Sequence, residues 1–189
     1  MVQSVDPQLA ARIEAQAART DEIRVGEIIG RSPATMSGYH NQPGKTSEAQ
    51  WVCPKTGDLY IRTGDVGRLD EDGFLTLMDR RKDMIISGGF NVYPSEVEQV
   101  LWGHPAVRDC AVIGVPDEKW GEAVKAVIEL NEGQSIDTEA LIALCKDKLG
   151  SVKAPKSIDV VESLPRSPVG KVLKKDLRQP YWENAQRKI

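Results

Sequence analysis

The 189-residue chain contains no apolar run near the roughly 20 residues that a bilayer-spanning helix needs, so no transmembrane segment is expected. Its first residues show no basic stretch followed by an apolar core, and a secretory signal is not expected either. Basic residues do not predominate: 25 Lys and Arg stand against 28 Asp and Glu, a formal net charge of −3. A phosphate-binding surface wants a basic excess, so a nucleic-acid partner is not expected. Cysteine is scarce, and Cys53, Cys110 and Cys145 are odd in number, far apart and without metal-ligand spacing. Cys110 and Cys145 lie within apolar runs and read as small buried hydrophobes in a reducing compartment. The two histidines, His40 and His104, stand beside turn residues and form no ligand cluster, so no metal-binding residues are assigned. These absences leave a soluble, cytoplasmic protein as the expectation. What is present is an ordinary globular balance, 40% apolar and 28% charged, and a length that suits one domain or two small ones.

Residues 6–19 can form a short helix, with Asp6 as N-cap, Pro7 at the first helical position, and Leu9 and Ile13 on one face. From residue 25 to 78 short β-like runs (25–31, 59–62 and 74–78) alternate with Gly, Pro, Asn and Asp. Residues 37–48 read as a polar loop, and Asp70-Glu-Asp-Gly73 as a turn between strands. From residue 80 strand and helix alternate. Residues 84–87 and 90–92 flank Gly88-Gly89, a hairpin with a two-glycine tip. Pro94 opens a helix with Val97, Val100 and Leu101 on one face. Residues 107–115 form an apolar strand. In 123–130 the alternation points Val124, Ala126, Ile128 and Leu130 inward and Lys125 and Glu129 outward. Asp137 caps a helix carrying Leu141, Leu144, Cys145 and Leu149 on one stripe. Ile158 and Val160 make a further strand, and 171–181 a terminal helix. The expectation is an α+β fold, a three-stranded sheet with helices and a β-hairpin over 80–189, preceded by a small β-rich subdomain over 1–79. The boundary falls at the charge run 79–83.

Four segments carry chemistry. Tyr60-Ile-Arg-Thr-Gly-Asp65 reads as a strand ending in a glycine turn that presents a carboxylate able to accept two hydrogen bonds from a vicinal diol. The competing reading is a turn aspartate bonding its own backbone. Arg80-Arg-Lys-Asp83 reads either as part of a site or as a solvated linker, and Gly88-Gly89 either as a close approach to a ligand or as a tight hairpin. Pro165-Arg-Ser-Pro-Val-Gly-Lys171 places a lysine after a Pro/Gly turn. Lysine is a point charge on a flexible stem, suited to neutralising charge that develops on phosphate or carboxylate oxygens.

Taken in order, these stretches resemble the adenylate-forming superfamily, which includes acyl-CoA synthetases, luciferases and the adenylation domains of peptide synthetases. The resemblance also takes in Ser37-Gly-Tyr-His-Asn-Gln-Pro43, Gly73-Phe74, the run from Arg80 through Ile85-Ile-Ser-Gly-Gly-Phe-Asn-Val-Tyr-Pro-Ser-Glu-Val-Glu98, His104-Pro-Ala-Val107, Val115-Pro-Asp117, Gly121-Glu122 and Lys153-Ala-Pro-Lys156. It covers about residues 26–178. The resemblance implies that Asp65 and Arg80 bind the nucleotide, Asp65 through the ribose hydroxyls. It implies that Lys82 is a hinge, that Gly88 and Gly89 line the pantetheine tunnel, and that Lys171 bridges the substrate carboxylate and the α-phosphate during adenylation. The implied substrates are a carboxylic acid, ATP and coenzyme A, with Mg2+ held by a large domain and a small mobile C-terminal domain that alternates between two half-reactions. Lys174 stands where the family often has arginine. Val152 stands where a tyrosine is common, which puts a surface packing contact in question.

The family's phosphate loop and its aromatic-Gly-x-Thr-Glu segment do not occur in the chain, and residues 1–22 fit the family poorly. The resemblance therefore implies the C-terminal part of an acid–thiol ligase of the acyl-CoA synthetase type, inactive alone, whose acid-binding pocket lies outside the chain. Two other classes stay open: a stand-alone binding or regulatory module, and an inactive remnant. Within the enzyme class a carrier-protein adenylation domain is the competitor. The wording of residues 85–94 and the lack of a serine-bearing carrier segment after Arg178 favour the CoA ligase.

Overall fold

The structure, a computed structural model, describes residues 25–183. The helix expected over 6–19 lies outside them. The chain divides into two compact units, Met1–Arg81 and Lys82–Ile189.

The first unit is one antiparallel sheet. Strand β3 (Leu59–Leu69) lies at its centre and pairs with β1 (Val25–Gly30), β2 (Gln50–Val52) and β4 (Leu75–Arg80). β3 is far longer than the strand expected over 59–62. Gly64 does not end it, because neighbours on both sides keep its backbone paired through Leu69. Register shifts between Glu27 and Ile29 on β1, and between Val66 and Gly67 on β3, absorb the irregularity. The loop expected over 37–48 instead contains helix α1 (Pro43–Ala49), opened by a proline at its first turn and lacking any buried residue. Thr46 secures it by donating to the Gln42 carbonyl at 3.0 Å and accepting from the Tyr39 amide at 2.9 Å. The Asp70–Gly73 turn forms as expected, with the Asp70 carboxylate accepting from the Asp72 and Phe74 amides. Few side chains in this unit are buried; Tyr60 and Val66 are among them.

The second unit has a five-stranded sheet. β5 (Ile85–Ser87) and β6 (Phe90–Val92) form the hairpin, β7 (Val107–Asp117) and β8 (Gly121–Leu130) a long antiparallel pair, and β9 (Ser157–Val161) runs parallel to β8. The hairpin joins the sheet through Ser87 opposite Gly121, at the start of β8. Helix α2 (Pro94–Trp102) packs on β7 and on α3 (Thr138–Lys153), and α4 (Lys174–Trp182) packs on β7. Asp137 caps α3 by accepting from the Glu139 and Ala140 amides. Gly150, with φ +80°, interrupts the regular winding of that helix before its last residues.

The main core gathers Ile85, Val92, Val97, Leu101, Val112, Val124, Ile128, Leu141 and Cys145. Val152 packs at its edge, so the place of the family's tyrosine is partly inside, not a surface contact. A second cluster (Ala111, Ile113, Val127 and Leu164, flanked by Val172 and Leu177) covers the other side of β7 and β8. That cluster overturns the expectation that Lys125 and Glu129 face solvent. Both are buried, 8% and 4% exposed. The Lys125 ammonium meets Asp159 at 2.7 Å and lies 5.2 Å from the Tyr181 ring centre. A buried charge persists only when paired in this way. Among the described residues no buried side-chain polar atom lacks a hydrogen-bond partner.

Candidate functional site

In the first unit the chain brings Asp65 and Arg80 together. They are directly paired on β3 and β4, and the Arg80 Nε donates to Asp65 Oδ1 at 2.9 Å. Asp65 is therefore set within a strand rather than on a terminal turn. Its backbone is fixed by Thr63, whose hydroxyl accepts from the Asp65 amide and donates to the Ile28 carbonyl, both at 3.0 Å. The ion pair engages one carboxylate oxygen and leaves Oδ2 able to accept from a hydroxyl. Behind it Glu27 collects two guanidinium groups, Arg62 at 2.7 Å and Arg81 at 3.6 Å. The hydrogen bond to Glu27, aided by its charge, holds the Arg62 guanidinium above its usual pKa. Nothing in the sequence pattern pointed to Glu27, because its partners Arg62 and Arg81 lie 35 or more positions away.

In the second unit Lys82 is exposed, and its carbonyl accepts from Arg178 Nη1 at 3.0 Å. Arg178 Nη2 also reaches Asp83 at 2.8 Å, so α4 fastens the start of the unit. The hairpin tip matches the reading of the sequence. Gly88 and Gly89 have φ of +59° and +84°, the left-handed pair that a two-residue turn between twisted strands requires and that glycine adopts without strain. Gly88 donates to the Trp120 carbonyl at 2.8 Å. A Cβ on Gly88 would stand 2.6 Å from Trp120 Cε3, whereas one on Gly89 would enter open space.

Lys171 is not the first residue of a helix, as expected; α4 begins three residues later, at Lys174. Lys171 follows a closed turn in which the Gly170 amide donates to the Ser167 carbonyl at 2.8 Å. The Ser167 amide donates to the Lys171 carbonyl at 2.8 Å, and the Lys171 amide to Ser167 Oγ at 3.2 Å. Gly170 has φ +81°, the conformation that lets the chain reverse here. Pro165 and Pro168 cannot donate, and the helix starts only after the isolated Arg166–Val172 bridge closes. The Lys171 side chain is exposed. Among the described residues no carboxylate forms an ion pair with it.

The hairpin tip and the lysine turn belong to opposite ends of β8. The hairpin is joined at Gly121, while the turn is tied through Arg166 to Glu129. Eight residues at the usual strand rise separate these anchor points by about 26 Å. Residues that the sequence did not reveal are Glu98 and Glu129, both buried and both ion-paired to the segment around Lys171. One signal was available: Ala123 and Val127 alternate with Lys125 and Glu129, which marks the second face of β8 as buried too. Among the described residues no group of His, Cys, Asp and Glu is arranged to hold a metal ion.

Residues 96–171 match the AMP-binding enzyme C-terminal domain. The chain is 45% identical over 172 residues to the medium/long-chain-fatty-acid–CoA ligase FadD8 of Mycobacterium tuberculosis, covering 87% of this chain and 29% of that ligase. The amide bond synthetase McbA from Marinactinospora thermotolerans superposes with a TM-score of 0.73 at 45% identity, covering 84% of this chain and 31% of that one. ATP-bound MatB from Rhodopseudomonas palustris does so with a TM-score of 0.74 at 37% identity, covering 84% and 30%. The chain thus spans about 30% of the length of the relatives it matches. The motifs in order, the α+β fold that carries them and these likenesses agree: the chain belongs to the AMP-binding, adenylate-forming enzyme family and corresponds to the C-terminal part of its members.

Proposed function

We propose that the chain works as the C-terminal part of an ATP-dependent acyl-CoA synthetase, residues 1–79 completing the large domain and 80–189 forming the mobile one. In the first half-reaction a carboxylate oxygen bonds to the α-phosphorus of ATP as the bond to pyrophosphate breaks. In the second, the thiol sulfur of coenzyme A bonds the acyl carbon, its proton leaves, and AMP departs. Asp65 accepts hydrogen bonds from the ribose hydroxyls, and Arg80 holds that carboxylate and reaches the same nucleotide. Lys171 neutralises the charge gathered between carboxylate and α-phosphate. Lys82 is the pivot, and the Gly88-Gly89 tip flanks the pantetheine path.

The observation that carries this reading is the pair of features at opposite ends of β8: an exposed lysine on a closed turn, without an ion-pair partner among the described residues, and a side-chain-free hairpin tip. One strand cannot bring both ends to one reacting centre, so two half-reactions using them in turn need a rotation between. The adenylation half is common to every reading of the family. The acceptor is the part with a rival, since an amide bond synthetase is as similar in sequence as the CoA ligase.

The test uses the full-length enzyme that contains this chain. Lys171→Ala is expected to lower ATP–pyrophosphate exchange by about 10²–10³-fold while leaving CoA-dependent consumption of synthetic acyl-AMP nearly intact. Gly89→Leu is expected to do the reverse. Equal loss of both activities in both variants would refute the alternation, and turnover of acyl-AMP by an amine but not by coenzyme A would select the rival acceptor.

A further inference from the structure

The backbone from which Lys171 springs is braced on both sides by cations whose partners are buried or half-buried carboxylates. On the upstream side Arg166 donates from Nη1 to the Gly170 carbonyl at 3.3 Å. Its Nη2 reaches Asp109 Oδ2 at 2.5 Å and Glu129 Oε2 at 3.4 Å. Asp109 is itself fixed, its Oδ1 accepting from Trp102 Nε1 at 3.1 Å and from the Cys110 amide at 2.8 Å. Glu129, buried on β8, also takes Arg108 at 2.9 Å and the Leu164 amide at 3.3 Å. On the downstream side Lys174 meets the buried Glu98 at 2.7 Å, and the same Glu98 oxygen accepts from the Val112 amide at 2.8 Å.

Arg166 touches both the turn and its foundation. A guanidinium presents donors on separate nitrogens of a rigid planar fork, so Nη1 can serve the carbonyl while Nη2 serves the two carboxylates, a spread that the single nitrogen of an ammonium lacks. The lysine stem has four rotatable carbons and gains precision only from the backbone that anchors it. In catalysis a misplacement of about 1 Å can cost about 10²-fold in rate. The fixed fork makes the Gly170 carbonyl, and with it the start of the Lys171 side chain, a rigid part of β7 and β8.

We propose that Arg166 is the positioning residue for Lys171, bridging the Gly170 carbonyl to Asp109 and Glu129, with the Lys174–Glu98 pair as the second anchor of the turn. The inference rests on the reading of Lys171 as the adenylation lysine, and it assigns Arg166 no contact with substrate.

The full-length enzyme is assayed as wild type, Lys171→Ala, Arg166→Met, Arg166→Lys and the double variant Arg166→Met/Lys171→Ala. Arg166→Met is expected to lower kcat for pyrophosphate exchange by about 10–100-fold. KM for ATP and the consumption of acyl-AMP with coenzyme A should stay within about twofold of wild type. Arg166→Lys keeps the Asp109 pair, loses the fork and should fall between. It also serves as the reporting variant if Arg166→Met does not fold. The double variant should be no slower in exchange than Lys171→Ala alone, because positioning has no value once the lysine is gone. A further tenfold loss in the double variant, or equal loss of both half-reactions in either Arg166 variant, makes the brace a general structural contact and overturns the proposal. Wild-type exchange in Arg166→Met and Arg166→Lys beside a dead Lys171→Ala overturns the brace alone. Wild-type exchange in Lys171→Ala overturns the reading of Lys171 and the brace together.

Discussion

A methyl group on Gly88 would stand 2.6 Å from the Trp120 ring, while its neighbour Gly89 faces open space. The two substitutions therefore differ in kind. Gly89→Ala meets only the left-handed strain of a non-glycine residue, roughly 1–2 kcal/mol. Gly88→Ala adds an overpacking clash typically worth a further 1–3 kcal/mol or so. In urea melts Gly88→Ala should be the less stable of the two, and Trp120→Ala in the same chain should remove most of the difference. Equal midpoints for the two alanine variants would count against the packing described for Trp120. The glycine pair was legible in the sequence because a two-residue tip between apolar runs has one chemistry. The tryptophan beneath it was not, since Trp120 lies some thirty positions on and no periodicity links the two. Lys125 and Glu129 were misread for a related reason. Their alternation was correctly seen, but period two says only that two faces differ, not which of them is covered.

At the level of elements, strongly periodic segments were the legible ones. α2, β7, β8 and the Asp137-capped α3 lie where their apolar spacing and caps put them, with ends shifted by a few residues. Three elements departed, each because tertiary contacts outweighed local signals. β3 continues through Gly64 because β1 and β4 supply partners on both sides. α1 forms from a polar segment with no apolar stripe to announce it. α4 starts late because the turn carrying Lys171 is closed by hydrogen bonds that exclude helical ones. The same contrast predicts where the chain opens last. β8 is flanked by β7 and β9 and buried on both faces, so amides from Val124 to Ile128 and their partners on β7 should exchange slowest, near the global unfolding limit. Slower exchange anywhere in residues 25–60 would contradict that order. Asp137→Ala should lower stability by about 1 kcal/mol through loss of the cap, read as a shift in the urea midpoint of the second unit.

For the molecule as a whole, acid should be the sensitive direction. Burial alone would raise the Asp109 carboxyl, but the hydrogen bond from Arg166, with those from the Cys110 amide and the Trp102 indole, outweighs it and holds the group below its ordinary range. Asp159 behaves alike: burial opposes its charge, and hydrogen bonds from Lys125 and Tyr181 prevail. A carboxyl whose pKa drops on folding contributes stability above its unfolded value, near 3.9, and loses that contribution as pH falls through the lower folded value. Thermal midpoints should therefore be level from about pH 7 to 5 and fall below about pH 4, and Asp109→Asn should flatten that acid limb while lowering the neutral plateau. An unchanged limb in Asp109→Asn would remove Asp109 from the account. Family membership was the most legible property at this scale, since several short motifs in a fixed order carry more information than any one of them. The acid substrate was not legible, because the resemblance puts the acid-binding pocket outside the chain. No helix among the described residues is long and apolar enough to cross a membrane.

Arg178 grips the carbonyl of Lys82 and the carboxylate of Asp83 across 96 and 95 positions of sequence, and on the same helix face Lys174 answers the buried Glu98. During synthesis the β-strands of the second unit emerge well before these cations do. Until α4 leaves the ribosome, Glu98 lacks the Lys174 ammonium that meets it in the finished fold, and Lys82 and Asp83 lack the guanidinium that grips them. At the usual elongation rate of about 5–20 residues per second, the interval from Asp83 to Arg178 is several seconds or more. Completion of the second unit is thereby a late event, since the contacts that Lys174 and Arg178 make cannot form until both residues have been added.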